Sequence, residues 1–438
     1  MNKFDQFIFE SYQFNRSELR VDLNYSLDGH LKFTETISWN DGNLATDYSE
    51  LALESALKLL HLTLGVSYYK AYLPKEIIVK TGQLNRGQAD YFNDVYSNGL
   101  GEFIYRNNLK FSDIAMFESS DIGKSSKTNT QMRESKALVP MSGGKDSILT
   151  AEILKTADIN FRPLFMTTDG NYPEVLNDFG QPILVKRQIS KQLIIENEIG
   201  AMNGHVPFSA ILDSILAVTA VLYGFSDVVL SHESSADEAT VRYDGREVNH
   251  QYSKSSKFEK RISSHVKDNI SNNLEFFSLI RNLSELDIHE LFVSKGLFSK
   301  YRGKWSSCNI ANYRQGQNTT DLKWCGKCSK CANAFLLFAP FVNKNELIDM
   351  FSGNNLATDP DLKEDIEGLL GMTESKPFEC VGEINELRSA VNIALKSGNW
   401  PELAKYSLAL QDIKMPNQEK IEINDNYSKA LEEFLIKK

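Results

Sequence analysis

The spacing of apolar side chains changes character along this 438-residue chain. In residues 1–117, runs with every second side chain apolar alternate with stretches of helical period. Phe7-Ile8-Phe9-Glu10-Ser11-Tyr12, Leu19-Arg20-Val21-Asp22-Leu23-Asn24-Tyr25 and Leu31-Lys32-Phe33-Thr34-Glu35-Thr36-Ile37 read as antiparallel strands, and Glu76-Ile77-Ile78-Val79-Lys80 as a further strand. Helical spacing covers 51–69 and 88–105, so this region predicts an α+β N-terminal domain. Residues 118–135 are rich in Ser, Thr and Lys without periodicity and read as a polar linker. From 136, short apolar strands (137–141, 162–167, 182–187, 227–231, 275–279) alternate with helices (147–156, 206–224, 253–267, 284–295). That alternation predicts a doubly wound α/β domain with a parallel sheet over 136–341, whose ligands bind outside the carboxyl ends of its strands. Residues 342–438 read as a helical C-terminal region. Asn399-Trp400-Pro401-Glu402 reads as a helix start, and the residues after it as peripheral.

Composition narrows the class. Hydrophobic residues make up 42% and charged residues 24%, the balance of a soluble globular protein. The charge sum, 48 − 58 = −10, leaves no electrostatic footprint for nucleic acid. Val206 to Phe225 is long enough to span a bilayer, but Asp213 would lie at its centre. A buried helix flanking the sheet is the better reading, and no membrane role is expected. Met1 to Phe7 lacks the apolar core of a signal peptide. Five cysteines are too few for a disulfide framework, and their clustering points to a metal in a reducing cytoplasm.

The strongest local feature is Ser142-Gly143-Gly144-Lys145-Asp146-Ser147, between the strand 137–141 and the following helix. Glycines let the backbone approach an anion, and the first N–H groups and dipole of the helix favour negative charge. Lys145 adds a point charge, Ser142 and Ser147 add hydroxyls, and Asp146 can hold Mg²⁺. The spacing is not that of a Walker loop. The stretch resembles the PP-loop of the N-type ATP pyrophosphatases, whose adenine nucleotide hydrolase-like fold is a doubly wound α/β sheet. The resemblance implies ATP binding and release of diphosphate.

Cys308, Cys325, Cys328 and Cys331 form the second feature. Four thiolates complete a tetrahedral Zn²⁺ site, and Gly326 lets the knuckle turn. An iron–sulfur cluster is the rival, since cluster-binding runs share the C-x-x-C-x-x-C spacing. A closed set of four ligands reads as structural. The order of loop and cysteines resembles 7-cyano-7-deazaguanine synthase, which implies an adenylating, amidating enzyme as one alternative.

Further stretches carry a closer resemblance: Gly65-Val66-Ser67-Tyr68-Tyr69-Lys70, Asn98-Gly99-Leu100-Gly101-Glu102-Phe103, Asn203-Gly204-His205-Val206-Pro207, Gly245 to Ser255, and Lys376-Pro377-Phe378-Glu379-Cys380-Val381-Gly382-Glu383. Over residues 5–390 they resemble the family of ATP-dependent UDP-N-acetylmuramoyl-L-alanyl-L-glutamate epimerases of peptidoglycan synthesis. The resemblance implies inversion of the terminal L-glutamate of a UDP-muramoyl dipeptide, with ATP cleaved to AMP and diphosphate. Adenylation would turn the carboxylate into an electron sink, so that a base could remove the α-proton and an acid return one. His205, His250, Tyr252 and Cys380 are the candidates for that pair. His205 is expected to open a helix whose dipole favours the neutral ring, and Lys376 to lower the pKa of Cys380. Lys70, Arg246 and Lys254 are candidates for substrate binding. A single His or Cys more often packs or caps, so which of these act stays open.

Overall fold

The computed structural model describes residues 3–45, 48–120, 136–314, 320–410, 413 and 420–437. Residues 121–135, nearly all of the expected linker, lie outside the described residues. The strands are β1 (Gln6–Asn15), β2 (Arg20–Leu27), β3 (Leu31–Trp39), β4 (Glu76–Val79), β5 (Ala137–Pro140), β6 (Phe161–Thr167), β7 (Ile183–Gln188), β8 (Asp227–Leu230), β9 (Val241–Tyr243), β10 (Arg246–Val248) and β11 (Glu275–Ser278). All nine strands expected from the alternating and apolar runs are present. The β9–β10 hairpin was not anticipated. It turns on Asp244 and Gly245, both at positive φ (49° and 74°), the Asp-Gly signature of a tight hairpin.

Nine strands form one sheet in the order β11-β8-β5-β6-β7-β3-β2-β1-β4. The chain steps outward from β5 through β6 to β7, then returns to place β8 and β11 on the other side of β5, all parallel. That reversal makes the carboxyl end of β5 a topological switch point, where such sheets bind ligands. The parallel block does not stop at β7. β3 pairs with it antiparallel, Ile37 opposite Arg187, and β2 and β1 continue the antiparallel run. The N-terminal strands therefore extend the later sheet instead of building one of their own, and the sheet is mixed where a wholly parallel one was expected. A buried ion pair fixes the junction: Arg187 Nε lies 2.5 Å from Glu35 Oε1, with Glu35 fully buried. Breaking either partner alone would strand a charge in the core.

Helix Phe208–Tyr223 is buried on nearly every side and stops at Gly224 in the left-handed conformation. It packs on helix Glu50–Leu64, whose first turn is capped by the Ser49 hydroxyl. Burial holds the Asp213 carboxyl well above its ordinary range. Among the described residues no helix is long and apolar enough to cross a membrane.

The C-terminal region is helical, but it is not peripheral. Trp400 is fully buried and donates its indole N–H to Ala339 O at 2.9 Å. Helix Asp425–Ile436 packs on the helix Lys145–Thr156 that follows β5. Its Tyr427, Ala430, Leu431 and Phe434 form one apolar stripe, with the Tyr427 ring centroid 4.8 Å from that of Phe277 in β11.

Candidate active site

The loop after β5 bends at Gly143, where φ is +79°. A side chain there would collide with Leu322 Cδ1 and press on Pro173, and one at Gly144 would come within 3.1 Å of Ser307 Oγ. Helix Lys145–Thr156 starts at once, so its first N–H groups face the switch point. Gly143→Ala is expected to cost about 1–3 kcal/mol through overpacking and forced positive φ. Thermal melting should read the loss.

Lys145 is buried between two carboxylates, 2.5 Å from Asp146 Oδ1 and 2.9 Å from Glu285 Oε2. Burial opposes its charge, but Asp146, Glu285 and Glu233 overcome it and hold the ammonium above its ordinary range. Glu233 lies just beyond β8 and Glu285 beyond β11, so the ends of three adjacent strands converge here. One oxygen from each of Asp146, Glu233 and Glu285 lies within 4.8 Å of the other two. Burial and then repulsion from Glu285 and Asp146 raise the pKa of Glu233. A hard divalent cation, bound by oxygen, would relieve that repulsion.

From this cluster a row of titratable groups leads away. Lys254 Nζ lies 3.3 Å from Cys380 Sγ, and Lys330 Nζ donates to Cys380 O at 2.7 Å. Burial alone would push the Cys380 thiol up; Lys254, Lys330 and His250 outweigh it and bring it to about 5. Next is His250, whose Nδ1 lies 2.5 Å from Glu102 Oε2. Burial disfavours its charge, but Cys380 and Glu102 raise it to about 9. The other Glu102 oxygen accepts from Arg106 Nε at 2.6 Å.

His205 follows, with Nε2 3.9 Å from the same Glu102 oxygen and its ring centroid 4.9 Å from that of His250. Its Nδ1 is buried without a partner among the described residues. Burial, then the charge of His250, depress His205 to about 4 despite Glu102. Beyond it lies Lys70, 3% exposed, with Nζ on Asn203 Oδ1 at 3.2 Å and 5.6 Å from the Phe103 ring centroid.

The structure thus brings His205, His250, Cys380 and Lys254 together, with Lys70 at one end and the glycine loop at the other. It places the remaining two elsewhere. The Tyr252 hydroxyl donates to Asp94, which holds the phenol's pKa up together with burial. Arg246 sits on the β9–β10 hairpin, bonded to Ser97 Oγ at 3.2 Å and stacked 4.7 Å over Phe111. Arg246 and Asp94 line a cleft of about 760 Å³ with Lys110, Phe111 and Arg261.

Two expected causes need correction. Lys376 does not act on Cys380; it is buried against Glu238 at 2.5 Å. His205 does not open a helix, because the helix begins only at Phe208 after Pro207. Its neutrality comes from burial and His250. Sequence reasoning also passed over Glu102, Glu233, Glu285 and Lys330 as site residues. Glu102 lies inside the stretch 98–103 and Lys330 inside the cysteine run, so both neighbour residues that carry a sequence signal.

The four cysteine sulfurs gather around one point. Cys308–Cys328, Cys325–Cys331 and Cys328–Cys331 are 3.8, 3.7 and 3.5 Å apart. A tetrahedral ion at a 2.3 Å metal–sulfur distance sets edges of about 3.8 Å. The spacing therefore fits a single metal ion. Gly326, at φ +65°, makes the turn between Cys325 and Cys328. The same knuckle carries Lys330 to Cys380.

Fold and site define an α/β protein with a glycine turn at the switch point of its sheet and a buried row of titratable groups beside it. Residues 1–279 match the family model of the MurL N-terminal domain, and residues 304–423 that of the MurL C-terminal domain. A relative from Xanthomonas oryzae is 32% identical over 94% of this chain and 92% of its own length. One from a Micromonospora strain is 32% identical over 98% of each, and one from Salinispora tropica 33% over 94% and 90%. Each relative is named a UDP-N-acetyl-alpha-D-muramoyl-L-alanyl-L-glutamate epimerase. The chain belongs to this epimerase family and is an isomerase.

Proposed function

We propose that the protein inverts the α-carbon of the terminal L-glutamate of UDP-N-acetylmuramoyl-L-alanyl-L-glutamate, driven by cleavage of the substrate ATP to AMP and diphosphate, in the cytoplasmic stage of peptidoglycan synthesis. The observation that carries this reading is the row itself. An anion-binding turn adjoins two histidines whose proton affinities are pushed apart, one to about 4 and one to about 9.

The chemistry follows from the order of groups. The turn Ser142–Ser147 holds the phosphates, and the substrate carboxylate attacks the α-phosphorus, expelling diphosphate. The mixed anhydride no longer carries the carboxylate charge, so the α-proton becomes acidic. His205, neutral and with a free ring nitrogen, takes that proton. The proton shared by His250 and Cys380 is returned to the other face. Glu102, 3.9 Å from one ring and 2.5 Å from the other, passes the proton taken up by His205 back to His250 as the pair resets. Water then releases AMP and the D-glutamyl product. Asp146, Glu233 and Glu285 fit Mg²⁺, which would neutralise phosphate charge, and the four cysteines fit a structural Zn²⁺. The sulfurs stand closer than an iron–sulfur cluster would hold them. The same donor reach exists among Glu102, His205 and His250. An imidazolium at His250 has no lone pair for a cation, which favours the proton-handling role.

The cleft that Lys110, Arg246 and Arg261 share with Asp90, Asp94 and Asp244 is the candidate for the nucleoside diphosphate end of the substrate, with the exposed Arg246 guanidinium for phosphate. Arg246→Ala is expected to raise KM for the nucleotide-linked dipeptide roughly tenfold and leave kcat nearly unchanged, as uniform binding does. A matching fall in kcat would remove the cleft from this role.

A pH profile follows from the same groups. His205 must be neutral, which holds above about 4, and Cys380 ionised, which holds above about 5. His250 must be protonated, which holds below about 9. We expect kcat/KM to rise on an acid limb near 4–5 and fall on an alkaline limb near 9. The direct test is incubation with the UDP-muramoyl dipeptide, ATP and Mg²⁺, scored by chiral analysis of glutamate released on hydrolysis. Production of D-glutamate with AMP supports the reading; a folded, metal-loaded protein yielding only L-glutamate overturns it.

A further inference from the structure

We infer that Lys70 and the Gly204 backbone N–H form a carboxylate subsite that receives the side-chain carboxylate of the substrate's terminal glutamate, and so set specificity for glutamate over glutamine. The inference rests on the reading above and adds a residue role to it.

The geometry is a built oxyanion site. Lys70 Nζ and Gly204 N both donate to one oxygen, Asn203 Oδ1, at 3.2 and 2.8 Å. Gly204 reaches this pose at φ +140°, and a side chain there would approach Phe103 at 3.4 Å. A neutral amide oxygen on an exposed residue therefore occupies the place where two donors converge. An ionised oxygen would be bound more strongly at the same point.

The ammonium also lacks a compensating charge. Lys70 is 3% exposed, and no ion pair with a carboxylate is found for it among the described residues. Burial alone lowers its pKa to about 8, with no anion to raise it. Buried lysines are otherwise paired in this protein: Lys145 with Glu285 and Lys376 with Glu238. Leaving one unpaired is unfavourable for stability unless a ligand supplies the charge.

Position supplies the ligand. The row runs from the phosphate turn through Lys254, Cys380, His250, Glu102 and His205 to Lys70. A glutamyl residue has the same order of chemistry: an α-carboxyl to be adenylated, the α-carbon hydrogen, and a second carboxylate at the far end. With the α-carbon beside His205 and His250 and its α-carboxyl turned toward the Cys380 side of the row, the side-chain carboxylate extends past His205 toward Lys70, whose charge is felt at the His205 ring.

The test compares UDP-muramoyl dipeptides ending in L-glutamate and in L-glutamine, by calorimetric binding without ATP and by turnover with it. Wild-type protein is expected to bind the glutamate form about 10–100-fold more tightly, the scale of a charge-assisted contact. Lys70→Met should lose most of that ratio while binding of the glutamine form changes little. Lys70→Arg should keep much of it. Because the readout is a ratio within one protein, partial unfolding does not imitate it. A wild-type protein that prefers the glutamate form without inverting it sustains the subsite and removes the epimerase reading. Equal binding of the two forms by wild type, or an unchanged ratio in Lys70→Met, overturns the subsite.

Discussion

Cys380→Ala is expected to abolish α-carbon inversion while AMP formation continues. Cys380 closes the row between Lys254 at 3.3 Å and His250, and its thiolate, together with Glu102, holds His250 protonated. Without it the acid side of the pair loses its proton store. General acid–base groups contribute roughly 10²–10⁴-fold, so D-glutamate formation should fall by about that factor. In the proposed reaction adenylation rests on the turn Ser142–Ser147, Lys145 included, which the substitution leaves in place. The expected signature is an uncoupled enzyme, in which the adenylate forms and is hydrolysed with L-glutamate unchanged. Parallel assays of AMP and of D-glutamate separate the two. Equal loss of both would show that Cys380 supports the fold or the ATP site instead of the proton transfer.

Loss of the metal should have the other large effect. Cys308, Cys328 and Cys331 are buried, and the knuckle ties the segment after β11 to helix Ser329–Phe338. Three sulfurs left without an ion would be crowded polar groups in a core. Cys331→Ser, or prolonged chelation, is expected to destabilise by more than the roughly 0.5–3 kcal/mol typical of point substitutions. Activity should vanish with it, because the same knuckle positions Lys330 on Cys380 and beside the Lys145 cavity. Thermal melting together with metal analysis reads this. Cys380→Ala, by contrast, should keep its full metal content.

Much of this molecule is legible from local pattern, and the rest fails for identifiable reasons. Strands β5, β6, β7, β8 and β11 are short apolar runs with helices between them, and that pattern alone predicts their parallel pairing. The joining of β3 to β7 was not legible, because it depends on Glu35 meeting Arg187 across 152 positions, and neither residue is unusual in its own run. The C-terminal stripe Tyr427, Ala430, Leu431 and Phe434 was present in the sequence; only the fold shows the apolar surface that it covers. The site divides the same way. The glycine turn and the cysteine knuckle are contiguous and were read directly. The proton-handling row is assembled from four distant segments, so its candidates His205, His250 and Cys380 came from resemblance. Lys254 was read as a substrate contact, yet it sits on Cys380. The partners that set their charges, Glu102 and Lys330, became evident only from distances.

The central claim is that ATP cleavage serves to acidify one carbon–hydrogen bond. Turnover of the UDP-muramoyl dipeptide in deuterated water tests it most directly, with AMP and the isotope content of both glutamate enantiomers measured together. The account predicts D-glutamate carrying solvent deuterium at the α-carbon, formed only when ATP is cleaved to AMP. D-glutamate that keeps its original α-hydrogen, or that accumulates without AMP, would contradict it.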